Sequence, residues 1–214
     1  ISRCQTADGP NGRAILTIVE GERVFISSNE GGISKSVPMD FIFDDLEYLQ
    51  SFSIVHTSTY SYMDPYLAQI QQLNLFISYD FSDNFENKQY LSICQYIDIG
   101  FFSCAECTEA AVMELLEKAV NSGCTIAVAT RGPHEIILFD GRSWFKQPPI
   151  ARKPTDTLGA GDAFITGFLI SYLGEKPNTG IRQTLLIENS LEKGALFAAE
   201  ICKAHGAFGH GLRY

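Results

Sequence analysis

Asp156-Thr157-Leu158-Gly159-Ala160-Gly161-Asp162 stands between Lys153-Pro154-Thr155 and the apolar run Ala163-Phe164-Ile165-Thr166-Gly167-Phe168-Leu169. Pro154 discourages helix immediately upstream. The run after Asp162 is rich in helix-compatible residues and meets no proline before Pro177. The glycines therefore mark the point where a loop becomes a helix. A helix start presents unpartnered backbone N–H groups and the positive end of the helix dipole. That is a setting for an anionic ligand, most often phosphate. Gly159 and Gly161 lack a Cβ, so such a ligand can come close to the backbone. Asp162 does not suit a purely anion-binding design, because its carboxylate repels the ligand. It is either a helix cap or a general base that takes a proton from a hydroxyl attacking phosphorus.

Outward from this stretch, apolar segments alternate between strand and helix character. Residues 1–11 are irregular, and 14–19 and 23–27 read as two strands joined at Glu20-Gly21-Glu22. An isolated hairpin is barely stable, so it must lie on the main domain or on the same hairpin of another subunit. Helices are expected over 40–50, 64–73, 108–121, 160–173 and 180–205, with Gly206 as the C′ residue of the last. Strands are expected over 53–57, 75–79, 97–102, 124–130 and 136–140, with extended chain at 144–145. This alternation predicts an α/β fold: a mainly parallel sheet covered by helices on both faces. Ligands then bind beyond the carboxyl ends of the strands. His56, Asp80, Ser103 and Thr130 fall at or near those ends. His56 serves either as a substrate contact or as a hydrogen-bonded part of the packing, and Asp80 either caps the next segment or lies in the cleft.

Bulk composition narrows the partners. A chain of 214 residues fits one large domain. A net charge of −9 argues against nucleic acid and anionic membrane as partners. It leaves ATP open, since helix amides and a divalent cation can hold phosphates. No apolar run approaches a membrane span and no secretory signal pattern is present. Six scattered cysteines read as reduced thiols of a cytoplasmic protein. Cys104-Ala105-Glu106-Cys107 has CxxC spacing, but no second pair completes a zinc site.

The order D-T-L-G-A-G-D-A-F resembles the signature of the PfkB (ribokinase-like) family of sugar kinases. The resemblance implies that the amides of Gly159, Ala160 and Gly161 form an anion hole and that Asp162 is the catalytic base. It implies ATP and a sugar as substrates, Mg²⁺ with the ATP, and K⁺ held by backbone carbonyls near the anion loop. Ser103-Cys104-Ala105-Glu106 is similar to the family's Asn-x-x-Glu, with Ser in place of Asn. Glu106 would hold Mg²⁺ through water, and its other reading is a charge in a first helical turn. Thr130-Arg131-Gly132 resembles the family's Thr-x-Gly nucleotide loop, so Ser103, Thr130 and Gly132 would border the nucleotide. Tyr79-Asp80-Phe81-Ser82-Asp83-Asn84-Phe85 is similar to the matching segment of fructosamine kinases of the fructoselysine 6-kinase type. Asp80 and His56 would then contact the sugar.

On this resemblance residues 1–36 form a β lid, through which relatives often dimerise, and 37–214 the nucleotide- and sugar-binding core. The likeness covers most of 12–208, and the family's opening strands and helices find no match, so the chain reads as lacking its N-terminal part. The expected function is ATP-dependent phosphorylation of a primary hydroxyl, of a fructosamine at C6 or of ribose, fructose, a ketodeoxy sugar acid or a nucleoside. A truncated or non-catalytic nucleotide-binding relative is a second class. A Rossmann dehydrogenase is a third, opposed by the absence of G-x-G-x-x-G spacing around Gly159.

Overall fold

The protein is described by a computed structural model covering residues 4–19, 22–86, 89–150, 154–174 and 183–210. Its main sheet has six strands that follow chain order: β3 (Ile54–Ser58), β4 (Phe76–Asp80), β5 (Ile99–Ser103), β6 (Ile126–Thr130), β7 (Ile136–Phe139) and β8 (Trp144–Gln147). From β3 to β6 the strands are parallel, and β7 and β8 pair antiparallel. Parallel neighbours need crossovers. These carry α2 (Leu67–Gln71), α3 (Gln89–Cys94) and α4 (Glu109–Asn121).

Period-two alternation divides the core between the two faces of the sheet. Ile99, Phe101, Ile126 and Val128 pack with Phe164, Phe168, Ile187 and Leu191 of α5 (Ala160–Gly174) and α6 (Gln183–Ile201). Phe102, Ala127 and Ala129 join Leu67, Cys94, Val112 and Leu116 on the other face. The result is a three-layer α/β sandwich.

On the first face, α5 and α6 meet backbone to backbone. A Cβ added at Gly194 would lie 2.8 Å from the Phe164 ring, and one at Gly167 would lie 3.0 Å from the Gly194 Cα. Gly167 and Gly194 are thus spent on close helix packing, which a side chain at either position would obstruct.

Strands β1 (Ala14–Val19) and β2 (Glu22–Ser28) pair only with each other, antiparallel, with a bulge between Ile15 and Leu16. The expected hairpin is therefore present and stands apart from the six-stranded sheet. Its Glu20-Gly21 turn lies outside the described residues. Ile15, Leu16, Phe25 and Ile26 are exposed on it.

Several boundaries differ from expectation. The helix expected over 40–50 is a 3₁₀ turn, Asp40–Phe43, followed by α1 (Leu46–Gln50). Asp45 divides them, because its side chain caps α1 by accepting from the Tyr48 amide at 2.9 Å. The helix expected over 64–73 opens as a 3₁₀ turn around Pro65 and ends at Gln71. β3 is only half-buried, since it is an edge strand. The short helix α3 was not anticipated; its six residues are too few to establish a period. Helix α6 stops at Ile201, not His205, and its expected start at Gly180 lies outside the described residues. Gly206 is consequently not its C′ residue. At φ 75° it opens a separate 3₁₀ turn, Ala207–Gly209.

Candidate active site

The parallel strands end on one rim. Register pairs Ser58 with Asp80 and Ser103 with Thr130, so these strand ends lie side by side. The loop before α5 is held firmly. Asp156 Oδ1 accepts from the Leu158 amide at 3.0 Å and Oδ2 from the Gly206 amide at 2.8 Å. The Thr155 amide donates to the Cys202 carbonyl at 2.8 Å. The chain then turns at Gly159, whose φ of +79° suits glycine, against Ala207 and Phe208.

Helix α5 begins at Ala160, which makes Asp162 the third helical residue. Asp162 is therefore inside the first turn, not at the cap position, and among the described residues its carboxylate caps no amide. It is exposed. The Ala160 amide donates to the Thr157 carbonyl at 3.1 Å, within the loop's own turn. The amides of Gly161 and Asp162 have no acceptor among the described residues, and neither has that of Gly159 in the loop before them. Nothing lies within 4 Å of where a Gly161 Cβ would stand. Open amides at a helix start beside an exposed carboxylate can hold an anion and receive a proton.

Two other candidate residues share the field of Asp162. His56 Nδ1 lies 2.8 Å from Ser78 Oγ. Although His56 keeps exposed surface, crowding by protein around its ring pushes its pKa down, and the Asp162 charge partly offsets this. Asp80 is half-buried. Desolvation pushes its pKa up, the hydrogen bond from the Ser82 amide at 2.8 Å opposes that, and the Asp162 and Asp83 charges add to the rise. Asp80 thus caps its turn at the carboxyl rim, within the field of Asp162. Sequence reading overlooked Asp83 and Tyr60, whose hydroxyl donates to Asp83 Oδ1 at 3.0 Å. The Asp-x-x-Asp spacing beyond β4 was the available signal.

Where β5 and β6 end, the Ser103 amide donates to the Ser82 carbonyl at 2.7 Å and the Cys104 amide to the Thr130 carbonyl at 2.8 Å. Thr130 Oγ1 donates to the Phe102 carbonyl at 3.4 Å, and Gly132 is exposed with φ 57°. Glu106 is exposed and precedes the Thr108 cap of α4. Its alternative reading as a first-turn charge falls, because that place belongs to Glu109, which pairs with Lys146 at 2.7 Å. Among the described residues no cluster of three His, Cys, Asp or Glu side chains is arranged to hold a metal. A lone exposed carboxylate suits Mg²⁺ that retains its waters and sits largely on nucleotide phosphate. No described helix is long and apolar enough to cross a membrane.

A cavity of 470 Å³ opens at the opposite end of the sheet, beside Asn74, Tyr96, Asp98 and Thr125. It lies at the amino ends of the strands, away from the open amides of α5, and the chemistry belongs at the carboxyl rim.

Comparison with known proteins agrees with this fold. The fructosamine kinase FrlD of Bacillus subtilis (strain 168) is 36% identical over 209 residues, covering 97% of this chain and 70% of that kinase. The fructoselysine 6-kinase of Escherichia coli (strain K12) is 26% identical over 211 residues, covering 97% and 75%. Ribokinase from Giardia lamblia superposes with a TM-score of 0.78 at 18% identity, covering 94% of this chain and 69% of that one. Arabidopsis thaliana ribokinase complexed with ribose and ATP gives 0.73 at 20% identity, covering 94% and 66%. The description "pfkB family carbohydrate kinase" matches residues 1–209. The match over nearly the whole chain and the 36% identity to FrlD show that the chain belongs to the pfkB family of carbohydrate kinases.

Proposed function

We propose that this kinase transfers the γ-phosphoryl group of ATP to the C6 hydroxyl of a fructosamine such as fructoselysine. The observation that carries the reading is Asp162, an exposed carboxylate in the first turn of α5 beside two amides with no acceptor among the described residues. The Asp162 carboxylate takes the hydroxyl proton as the oxygen attacks phosphorus and ADP departs. The amides of Gly159, Gly161 and Asp162 stabilise charge on the phosphoryl oxygens, while the Ala160 amide, spent on the Thr157 carbonyl, shapes the loop. Glu106 would hold Mg²⁺ through its waters, and that ion would supply further neutralisation of the phosphates. Ser103, Thr130 and Gly132 border the nucleotide. K⁺ near the loop follows from the family likeness.

Asp80 and Asp83 support an amine-bearing sugar over a neutral one. Their mutual repulsion beside Asp162 is relieved by a cationic nitrogen. His56 takes a sugar hydroxyl from the neighbouring strand. The exposed apolar residues of β1 and β2 support a lid that pairs with a second copy, and the cytoplasm is the proposed compartment. Steady-state kinetics with fructoselysine, ribose and fructose test the substrate. A kcat/KM for fructoselysine equal to or below that for ribose or fructose rejects the fructosamine assignment.

A further inference from the structure

Arg131 follows Thr130, the last residue of β6, and is buried at 9% exposure. Its Nη2 donates to the Cys107 carbonyl at 3.3 Å, across 24 positions of sequence. Its Nε is buried and has no partner among the described residues. No carboxylate pairs with the guanidinium among those residues. Glu109, which feels its charge, is bonded to Lys146 at 2.7 Å. A buried charge without an ion pair, and with one donor unmade, costs stability. An apolar side chain of similar length would fill the space without that cost. Folding alone therefore does not account for an arginine at this position.

What the arginine does is join two loops. The loop after β5 closes where the Cys107 amide donates to the Cys104 carbonyl at 3.1 Å. The turn after β6 closes where the His134 amide donates to the Arg131 carbonyl at 3.0 Å. Residues 130, 131 and 132 in succession fasten one to the other. The Thr130 carbonyl accepts from the Cys104 amide at 2.8 Å. The Arg131 side chain holds the Cys107 carbonyl. Gly132 lies against Ala105, whose Cβ would stand 3.5 Å from a Cβ placed at 132. The first of these is a backbone bond that any residue could make. The second depends on the side chain, and it grips the far end of the loop, next to the Thr108 cap of α4.

We infer that Arg131 is a positioning residue for the nucleotide: it fixes the loop after β5 against the turn after β6, so that ATP meets both already ordered. The inference rests on the reading that Ser103, Thr130 and Gly132 border the nucleotide. A loop ordered before binding spares the complex the entropy of ordering it afterwards. Being buried, Arg131 acts through the backbone it holds and not by meeting phosphate.

The test is Arg131→Met, which keeps an apolar stem and removes the charge and every donor. Its melting temperature should equal or exceed the wild type's. Without nucleotide, hydrogen exchange in the peptide spanning 104–108 should be faster than in the wild type, and ATP should slow it in both. Calorimetric titration with ATP in the absence of metal should give a Kd raised by roughly tenfold, the worth of ordering about one loop residue. That factor should persist in about 1 M salt, which screens charges beyond ~3 Å. Arg131→Gln takes over the titration if the methionine variant does not fold, and unfolding of both overturns the proposal by making the arginine structural. It is equally overturned if a folded variant binds ATP as the wild type does, or if the deficit vanishes in salt, the mark of a distant charge. A wild type that binds no ATP rejects the nucleotide reading itself. A wild type that binds ATP no better than the folded variant rejects the positioning role alone.

Discussion

Asp156 Oδ2 accepts the Gly206 amide at 2.8 Å across fifty positions of sequence, joining the loop that opens α5 to the chain beyond α6. Its other oxygen holds the Leu158 amide at 3.0 Å. Asp156→Ala should therefore lose two charge-assisted bonds and about 1–3 kcal/mol of stability. Denaturant unfolding checks this, together with kcat, which should fall because Gly159 follows within the same turn. A melting curve like the wild type's would mean that the loop is held by its other contacts.

Asp162→Asn separates base from scaffold. Asp162 caps no amide among the described residues, so Asn should leave the thermal melt nearly unchanged. Loss of a general base should lower kcat by roughly 10²–10⁴-fold. ATP affinity, read by calorimetry, should persist. A kcat within about threefold of wild type is too small a loss for a general base and would remove Asp162 from that role.

Glu106→Gln tests the metal side. Glu106 is exposed ahead of α4 and outside its first turn, so it has no helix-dipole duty to lose. The Mg²⁺ concentration giving half-maximal activity should rise by about tenfold, the lower end of outer-shell effects. Thermal stability should hold. A superimposable Mg²⁺ titration would leave the carboxylate without a metal role.

Asp80→Asn should trade function for stability. Burial raises the Asp80 pKa above its ordinary 3.8, so the folded state binds this proton more readily than the unfolded chain does. The stabilising contribution is complete below 3.8 and is lost as pH rises through the folded value and the half-buried carboxylate gains its charge. Asn retains an acceptor for the Ser82 amide without that charge. Its melting temperature should exceed the wild type's at neutral pH, with the gap closing toward pH 3.8, while kcat/KM for an amine-bearing sugar falls. Parallel melts across that range settle the sign.

Local signals in the chain were informative where period and punctuation agreed. The run from Ala160 to Gly174, with loop glycines before it, announced a helix and its open start. Apolar β5 and β6 announced a parallel core. Where structure hung on distant partners, the sequence was mute. Gly206 looked like a helix stop, yet its amide serves Asp156. Asp80, His56 and Asp162 come from three separated segments, and only the sheet register and the α5 packing bring their charges into one field. Glu106 and Glu109 could exchange first-turn roles until the Thr108 cap fixed the helix start. Arg131 gave no sign that its Nη2 reaches the Cys107 carbonyl, because that bond joins the end of β6 to the loop after β5.

The approach of α5 and α6 at Gly167 and Gly194 bears on how this enzyme can evolve. Either position can accept a larger residue only if the facing helix shifts, and that shift would carry Asp162 with α5. Substitutions there are filtered through catalysis although neither glycine faces the rim. Substitutions around Asp83, Tyr60 and His56 escape that filter. New sugar preferences should therefore arise in descendants by drift along the strand ends, while the glycine pair between the helices stays frozen.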